Sequence, residues 1–186
     1  NNGGIKMKNI LVLNGSPRVK GNTEALTKAF IEGAQENGNK VTTFDIAKLT
    51  LNGCIACENC YSTGTACFFY YYFNKIAEAL EKTDIFVIAS PLYWGSFPAQ
   101  LKCIIDKFYA FEVGKKDLSG KGSVLISCCE STDESEFDII SLSYDRIAQS
   151  KGWNVLGKLL VPNVAAKGDV EKTDAINKAK LLGKSI

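Results

Sequence analysis

Along the chain, short apolar runs that end in turn residues alternate with longer stretches whose apolar positions recur every three to four residues. The first run, Lys8 to Leu13 (KNILVL), stops at Asn14-Gly15-Ser16-Pro17, the pattern of a parallel strand buried on both faces. Ala25, Leu26, Ala29, Phe30 and Ala34 then mark one face of a helix over Asn22 to Asn37, and Asn37-Gly38 supplies its stop. Val41 to Ile46 reads as a second strand, and Ile76 to Leu80 as part of a short helix. Ile85 to Ala89 (IFVIA) predicts a third strand, broken by Ser90-Pro91, before a helix face of Ala99, Leu101, Ile104, Ile105 and Phe108. Val124 to Ile126 predicts strand four, and Phe137, Ile140, Tyr144, Ile147 and Ala148 the next helix face. Trp153 to Val161 then reads as strand five, and Val170 to Leu182 as the closing helix.

Strict alternation of five strands with helices predicts an α/β fold, a doubly wound parallel sheet with right-handed crossovers and helices on both faces. The expected strand order is 2-1-3-4-5, with ligands bound beyond the carboxyl ends of strands one, three and four. Neither a repeat nor a linker interrupts the pattern, and 186 residues that are 46% hydrophobic suit one domain, expected over residues 7–186. Asn1 to Lys6 precede Met7, the only methionine, and are expected to be a leader outside the fold.

Charge narrows the partners. The formal balance is +2, with no basic stripe and no run of like charges, so neither nucleic acid nor a membrane surface is expected. No apolar run approaches the ~20 residues of a membrane span, and no secretion signal opens the chain, which predicts a cytoplasmic protein. Histidine is absent, which removes Ser-His-Asp and Cys-His catalysis and histidine metal ligation. Seven cysteines, an odd count with four of them between Cys54 and Cys67, point to free thiols or metal ligands rather than a disulfide framework.

Four segments carry candidate chemistry. Asn14 to Glu24 (NGSPRVKGNTE) joins strand one to helix one. A phosphate there would meet free backbone N–H groups, the hydroxyls of Ser16 and Thr23, the Asn22 amide and the Arg18 guanidinium. It is not a Walker A loop, because Gly21 is followed by Asn22-Thr23, and no G-x-G-x-x-G occurs; a Gly/Pro turn with a helix cap is the plainer alternative. Pro91-Leu92-Tyr93-Trp94-Gly95-Ser96 leaves strand three as an aromatic loop suited to a flat heterocycle, the alternative being core or interface aromatics. Ser127-Cys128-Cys129-Glu130-Ser131 leaves strand four, where the same ligand needs another wall. Cys54-x2-Cys57-x2-Cys60-x6-Cys67 has the compactness of an iron–sulfur or zinc ligand set, and redox-active or plain free thiols remain the open alternative.

Taken in order, G-S-P-R at Gly15 to Arg18, G-N-T at Gly21 to Thr23, the four-cysteine loop, S-P-L-Y-W-G-S-F-P-A-Q-L-K at Ser90 to Lys102 and I-D-K-F-Y at Ile105 to Tyr109 resemble the NAD(P)H-dependent FMN reductase and iron–sulfur flavoprotein family. The resemblance implies a flavodoxin-like fold with the FMN phosphate held by Ser16, Arg18, Asn22 and Thr23. It places the isoalloxazine against Pro91 to Ser96 and bordered by Ser127 to Glu130, and it offers Cys54, Cys57, Cys60 and Cys67 to a 4Fe-4S cluster. It implies that the flavin, not a side chain, carries the redox chemistry: NAD(P)H reduces it, and a quinone, nitro or azo compound, another flavin, an iron–sulfur centre or a redox protein is the acceptor. A non-enzymatic electron carrier is the alternative, and a homodimer or homotetramer is expected. One departure stands out. Phe68 to Phe73 (FFYYYF) is six aromatics, too many for one buried helix face, so some are expected at a subunit interface or over the flavin.

Overall fold

A computed structural model describes residues 7–186; the expected leader Asn1 to Lys6 lies outside them. Five strands, β1 (Asn9–Asn14), β2 (Lys40–Asp45), β3 (Ile85–Pro91), β4 (Gly122–Cys128) and β5 (Asn154–Val161), form one sheet in the order β2-β1-β3-β4-β5. All pairings are parallel. Six helices connect and cover them: α1 (Asn22–Glu36), α2 (Tyr71–Lys82), α3 (Ala99–Asp106), α4 (Tyr109–Val113), α5 (Asp138–Lys151) and α6 (Ala175–Lys184). This is the flavodoxin-like architecture the alternating pattern predicts.

Successive strand residues point to opposite faces, so each central strand feeds two cores. Ile10, Val12, Val87, Val124 and Ile126 pack under α1 and α6, through Leu26, Phe30, Ala34, Ala175 and Ala179. Leu11, Leu13, Phe86, Ile88 and Leu125 pack on the other side against Phe73, Ile76 and Leu80 of α2, Leu101 and Ile104 of α3, and Ile140 and Tyr144 of α5. Each fully buried aliphatic or aromatic side chain contributes about 1.5–3 kcal/mol to this arrangement. Among the described residues no helix is long and apolar enough to cross a membrane.

Three boundaries differ from the expected ones. β4 runs to Cys128, so Ser127 and Cys128, read as loop, are strand residues paired in register with Ser90 and Val161 respectively. The short helix expected around Ile76 to Leu80 reaches back into the aromatic run: α2 begins at Tyr71, and only Phe73 of its opening trio is buried. The closing helix is broken. A single 3₁₀ turn spans Asp169–Lys172, Thr173 is extended, and its Oγ1 accepts the Ala175 N–H (3.1 Å) at the start of α6.

Candidate functional site

The carboxyl ends of β1, β3 and β4 open into one cleft of about 540 Å³, within the range of small-molecule sites. Twelve of the fourteen residues expected to hold a cofactor line it: Ser16, Arg18, Asn22, Thr23, Pro91, Leu92, Tyr93, Trp94, Gly95, Cys128, Cys129 and Glu130. Ser96 and Ser127 do not. Ser127 is fully buried in β4, and its hydroxyl, like that of its register partner Ser90, has no hydrogen-bond partner among the described residues.

The loop between β1 and α1 is shaped for an anion. Its N-cap is Gly21, which offers no side-chain cap, so the first-turn N–H groups of α1 face the cleft end without an internal acceptor. Gly15 sits at a close approach, since a Cβ there would stand 3.1 Å from Leu101 Cδ2 and 3.4 Å from Ser90 Cβ, and those side chains would have to give way. The Ser16 hydroxyl accepts the Arg18 N–H (3.3 Å), and Arg18 Nη1 donates to the Ala165 carbonyl (3.0 Å), which steers the guanidinium along the cleft wall. The other guanidinium N–H groups remain for a ligand. Asn22 has a different task from the one its sequence suggests. Its Nδ2 donates to the carbonyls of Val164 (3.3 Å) and Ala166 (2.9 Å), and its Oδ1 accepts the Val170 N–H (3.3 Å). The side chain ties the start of α1 to the β5–α6 loop. Thr23 Oγ1 lies 3.3 Å from Cys128 Sγ, buried beneath the cleft floor, and burial pushes the Cys128 thiol up from its ordinary pKa.

The ring-shaped end is built by a tight turn. Tyr93 and Ser96 exchange both backbone hydrogen bonds at 3.0 Å, while Trp94 (φ 49°) and Gly95 (φ 72°) take left-handed conformations between them. Trp94 is fully exposed and Tyr93 half-exposed, which leaves flat aromatic surface beside the cleft. Across it the Cys129 N–H donates to the Val161 carbonyl (3.0 Å), which fixes the loop after β4. Ser131, Glu136, Val164 and Ala165 complete the walls. Ser131 closes the loop expected after strand four, whereas Glu136, Val164 and Ala165 carry no sequence signal of their own; only the expectation that strand five ends at Val161 could have drawn attention to Val164 and Ala165.

The cysteine loop forms a separate feature. Cys54, Cys57, Cys60 and Cys67 line one small cavity together with Tyr70, Phe73, Lys107 and Tyr109. Burial, and then the charges of the neighbouring thiols, raise the Cys60 pKa. Ala56, Glu58 and Tyr61 all hold positive φ, and Asn74 clamps the end of the loop by accepting the Cys67 N–H (2.6 Å) and donating to the Cys67 carbonyl (2.8 Å). The thiols share a cavity, yet among the described residues no three side chains converge as ligands of one metal ion.

An open parallel sheet with an anion-binding helix start and an aromatic turn at its switch point defines a flavodoxin-like protein with a mononucleotide site. The chain belongs to the NADPH-dependent FMN reductase family, whose profile matches residues 8–138. It is 30% identical over 105 residues to an iron–sulfur flavoprotein of Methanocaldococcus jannaschii, covering 56% of this chain and 54% of that protein. It is also 30% identical over 132 residues to an FMN-dependent NADH:quinone oxidoreductase of Pseudoalteromonas atlantica, covering 62% of this chain and 65% of the other. The chain spans about half the length of the iron–sulfur flavoproteins it matches. An azoreductase structure from Bacillus anthracis superposes with a TM-score of 0.74 at 14% identity, over 97% of this chain and all of that one, which shows a shared fold.

Proposed function

We propose that the chain is an FMN-dependent oxidoreductase that takes reducing equivalents from NAD(P)H and passes them to a quinone, nitro or azo compound, a flavin or an iron–sulfur acceptor. The observation that supports this reading best is the single cleft that brings a free helix N-terminus, Arg18 and the Ser16 hydroxyl to one end and the Tyr93–Ser96 turn to the other. A phosphomonoester suits the first donor set and a tricyclic plane the second. FMN, when bound, supplies the redox chemistry. The protein's own residues do the rest: Ser16, Arg18 and the α1 N-terminus neutralise the phosphate, Asn22 holds the wall beside it, and Pro91 to Gly95 with Cys129 and Glu130 enclose the ring. With no histidine in the chain, the residues orient and shield rather than trade protons.

The reading extends to three further points. Cys54, Cys57, Cys60 and Cys67 would be the ligand set of a 4Fe-4S cluster, a reading supported by their common cavity and by the names of the relatives; because no three of the side chains converge among the described residues, a loop of free thiols is the alternative, and no step of the function is routed through either. The half-exposed Phe68, Phe69, Tyr71 and Tyr72 are covered by a second copy in a homodimer or homotetramer. The protein works in the cytoplasm, supported by its reduced thiols.

Anaerobic stopped-flow mixing of the flavin-loaded protein with NADH or NADPH tests the central claim. Bleaching of the flavin band on a catalytic timescale is expected, and its absence with both nucleotides ends the reductase reading. Iron, sulfide and flavin counts on anaerobically purified protein test the cluster.

A further inference from the structure

The phosphate loop is held from behind by residues that line no part of the cleft. Asn14 ends β1 and Asp45 ends β2, and the two are in register, so their side chains meet on one face of the sheet. Asn14 is buried, and its Nδ2 donates to Asp45 Oδ1 (3.1 Å). An ionised carboxylate only accepts hydrogen bonds, so the Asn14 amide can face it one way, with its NH₂ outward and its oxygen turned to the loop. There Oδ1 accepts the Ser16 N–H (3.2 Å), and the Ser16 hydroxyl accepts the Arg18 N–H (3.3 Å). Lys48 Nζ holds the other Asp45 oxygen (2.6 Å), and this contact keeps the Asp45 carboxyl below its ordinary range and ionised. At the far end of the same loop the Lys20 N–H donates to Glu24 Oε2 (2.7 Å), while Lys28 pairs with Glu24 Oε1 (2.7 Å). Two carboxylates therefore brace the loop from its outer side, each neutralised by its own lysine, so neither opposes a phosphate.

We propose that Asp45 is a positioning residue for the phosphate subsite, acting through Asn14 to set the direction of the Ser16 and Arg18 donors. The proposal deepens the FMN reading and rests on it. Riboflavin carries the same ring without the phosphate, so it separates an effect on the loop from an effect on the fold.

The test is titration of the flavin-free 186-residue chain with FMN and, separately, with riboflavin. Asp45→Leu removes the acceptor that orients Asn14 and is expected to raise the Kd for FMN roughly tenfold while leaving that for riboflavin within about twofold. Asp45→Asn can still accept from Asn14 and is expected to stay within about threefold of wild type for FMN. Asn14→Asp sets two carboxylates face to face and deletes the donor, so FMN affinity falls by at least about tenfold. Unchanged FMN affinity in Asp45→Leu, or parallel losses for FMN and riboflavin, would overturn the relay. Should Asn14→Asp fail to fold, the contrast between Asp45→Leu and Asp45→Asn decides. A wild-type chain that binds neither flavin, or both equally, fails a step earlier and removes the phosphate reading together with the relay built on it.

Discussion

Trp94 holds a backbone conformation that costs a bulky residue on the order of 1 kcal/mol, and its fully exposed indole makes no packing that offsets it within the chain. We propose that this strained, exposed aromatic at the cleft lip is kept for a ligand. Trp94→Gly is therefore expected to raise the thermal midpoint by about 2–4 °C, whereas Trp94→Ala, which keeps the strain, does not. Both variants should bind flavin or acceptor more weakly in a fluorescence titration. Tyr144 shows the opposite situation, a buried group with no functional duty in the cleft. Its hydroxyl has no hydrogen-bond partner among the described residues, and burial pushes its pKa up to about 12. Because the folded pKa lies above the unfolded value of ~10, its neutral form favours folding fully below pH 10, and that contribution is lost as pH rises through about 12. Urea unfolding from pH 9 to pH 12 should show this decline, and Tyr144→Phe should flatten it while leaving stability at pH 7 equal or higher.

Between elements, the tightest contact is where α1 crosses α6. A Cβ on Gly33 would stand 2.0 Å from the Lys180 carbonyl oxygen, and one on Gly183 would stand 2.0 Å from that of Phe30. The helix backbones touch, so Gly33→Ala must push α6 away. A loss of roughly 3 kcal/mol in urea unfolding is expected, with weaker FMN binding if the loop leading into α1 holds the phosphate as proposed. The hydrophobic period located both helices, but a lone glycine inside a helical stripe looks the same whether it is tolerated or indispensable. The same limit explains the rest of what the sequence did and did not reveal. The buried runs of β1, β3 and β4 and the residues after them placed twelve cleft residues, because parallel strands advertise themselves as apolar runs. Asn22 was visible as a residue but not as a tie to the β5–α6 loop, since its partners are backbone carbonyls more than 140 positions away. Lys107 was part of a motif without a role. Only 3% exposed, it donates to the carbonyls of Asn52 and Cys103 and lies 4.6 Å from the Tyr70 ring centroid, fastening both ends of the cysteine loop to the turn after α3. Lys107→Met should destabilise the protein by about 2 kcal/mol and speed amide exchange across residues 53–67 roughly tenfold.

At the scale of the whole molecule, the cleft has no element of its own. Its floor is where β1, β3 and β4 end, one end is the start of α1, and its walls are the loops that follow β1, β3, β4 and β5. Every interaction that holds the sheet together thus places the cleft. FMN would supply acceptors for the free N–H groups of α1 and a counter-ion for Arg18, so its binding must stabilise the folded chain by mass action. At a free concentration of about 100 Kd the gain is about 2.7 kcal/mol, enough to raise the midpoint of a protein this size by about 5–10 °C. Differential scanning calorimetry with and without FMN should show that shift. Arg18→Ala should lose most of it at the same FMN concentration, because a charge-assisted hydrogen bond to phosphate accounts for about 1.5–3 kcal/mol of affinity. A wild-type midpoint that does not move with FMN would mean the cleft holds something else.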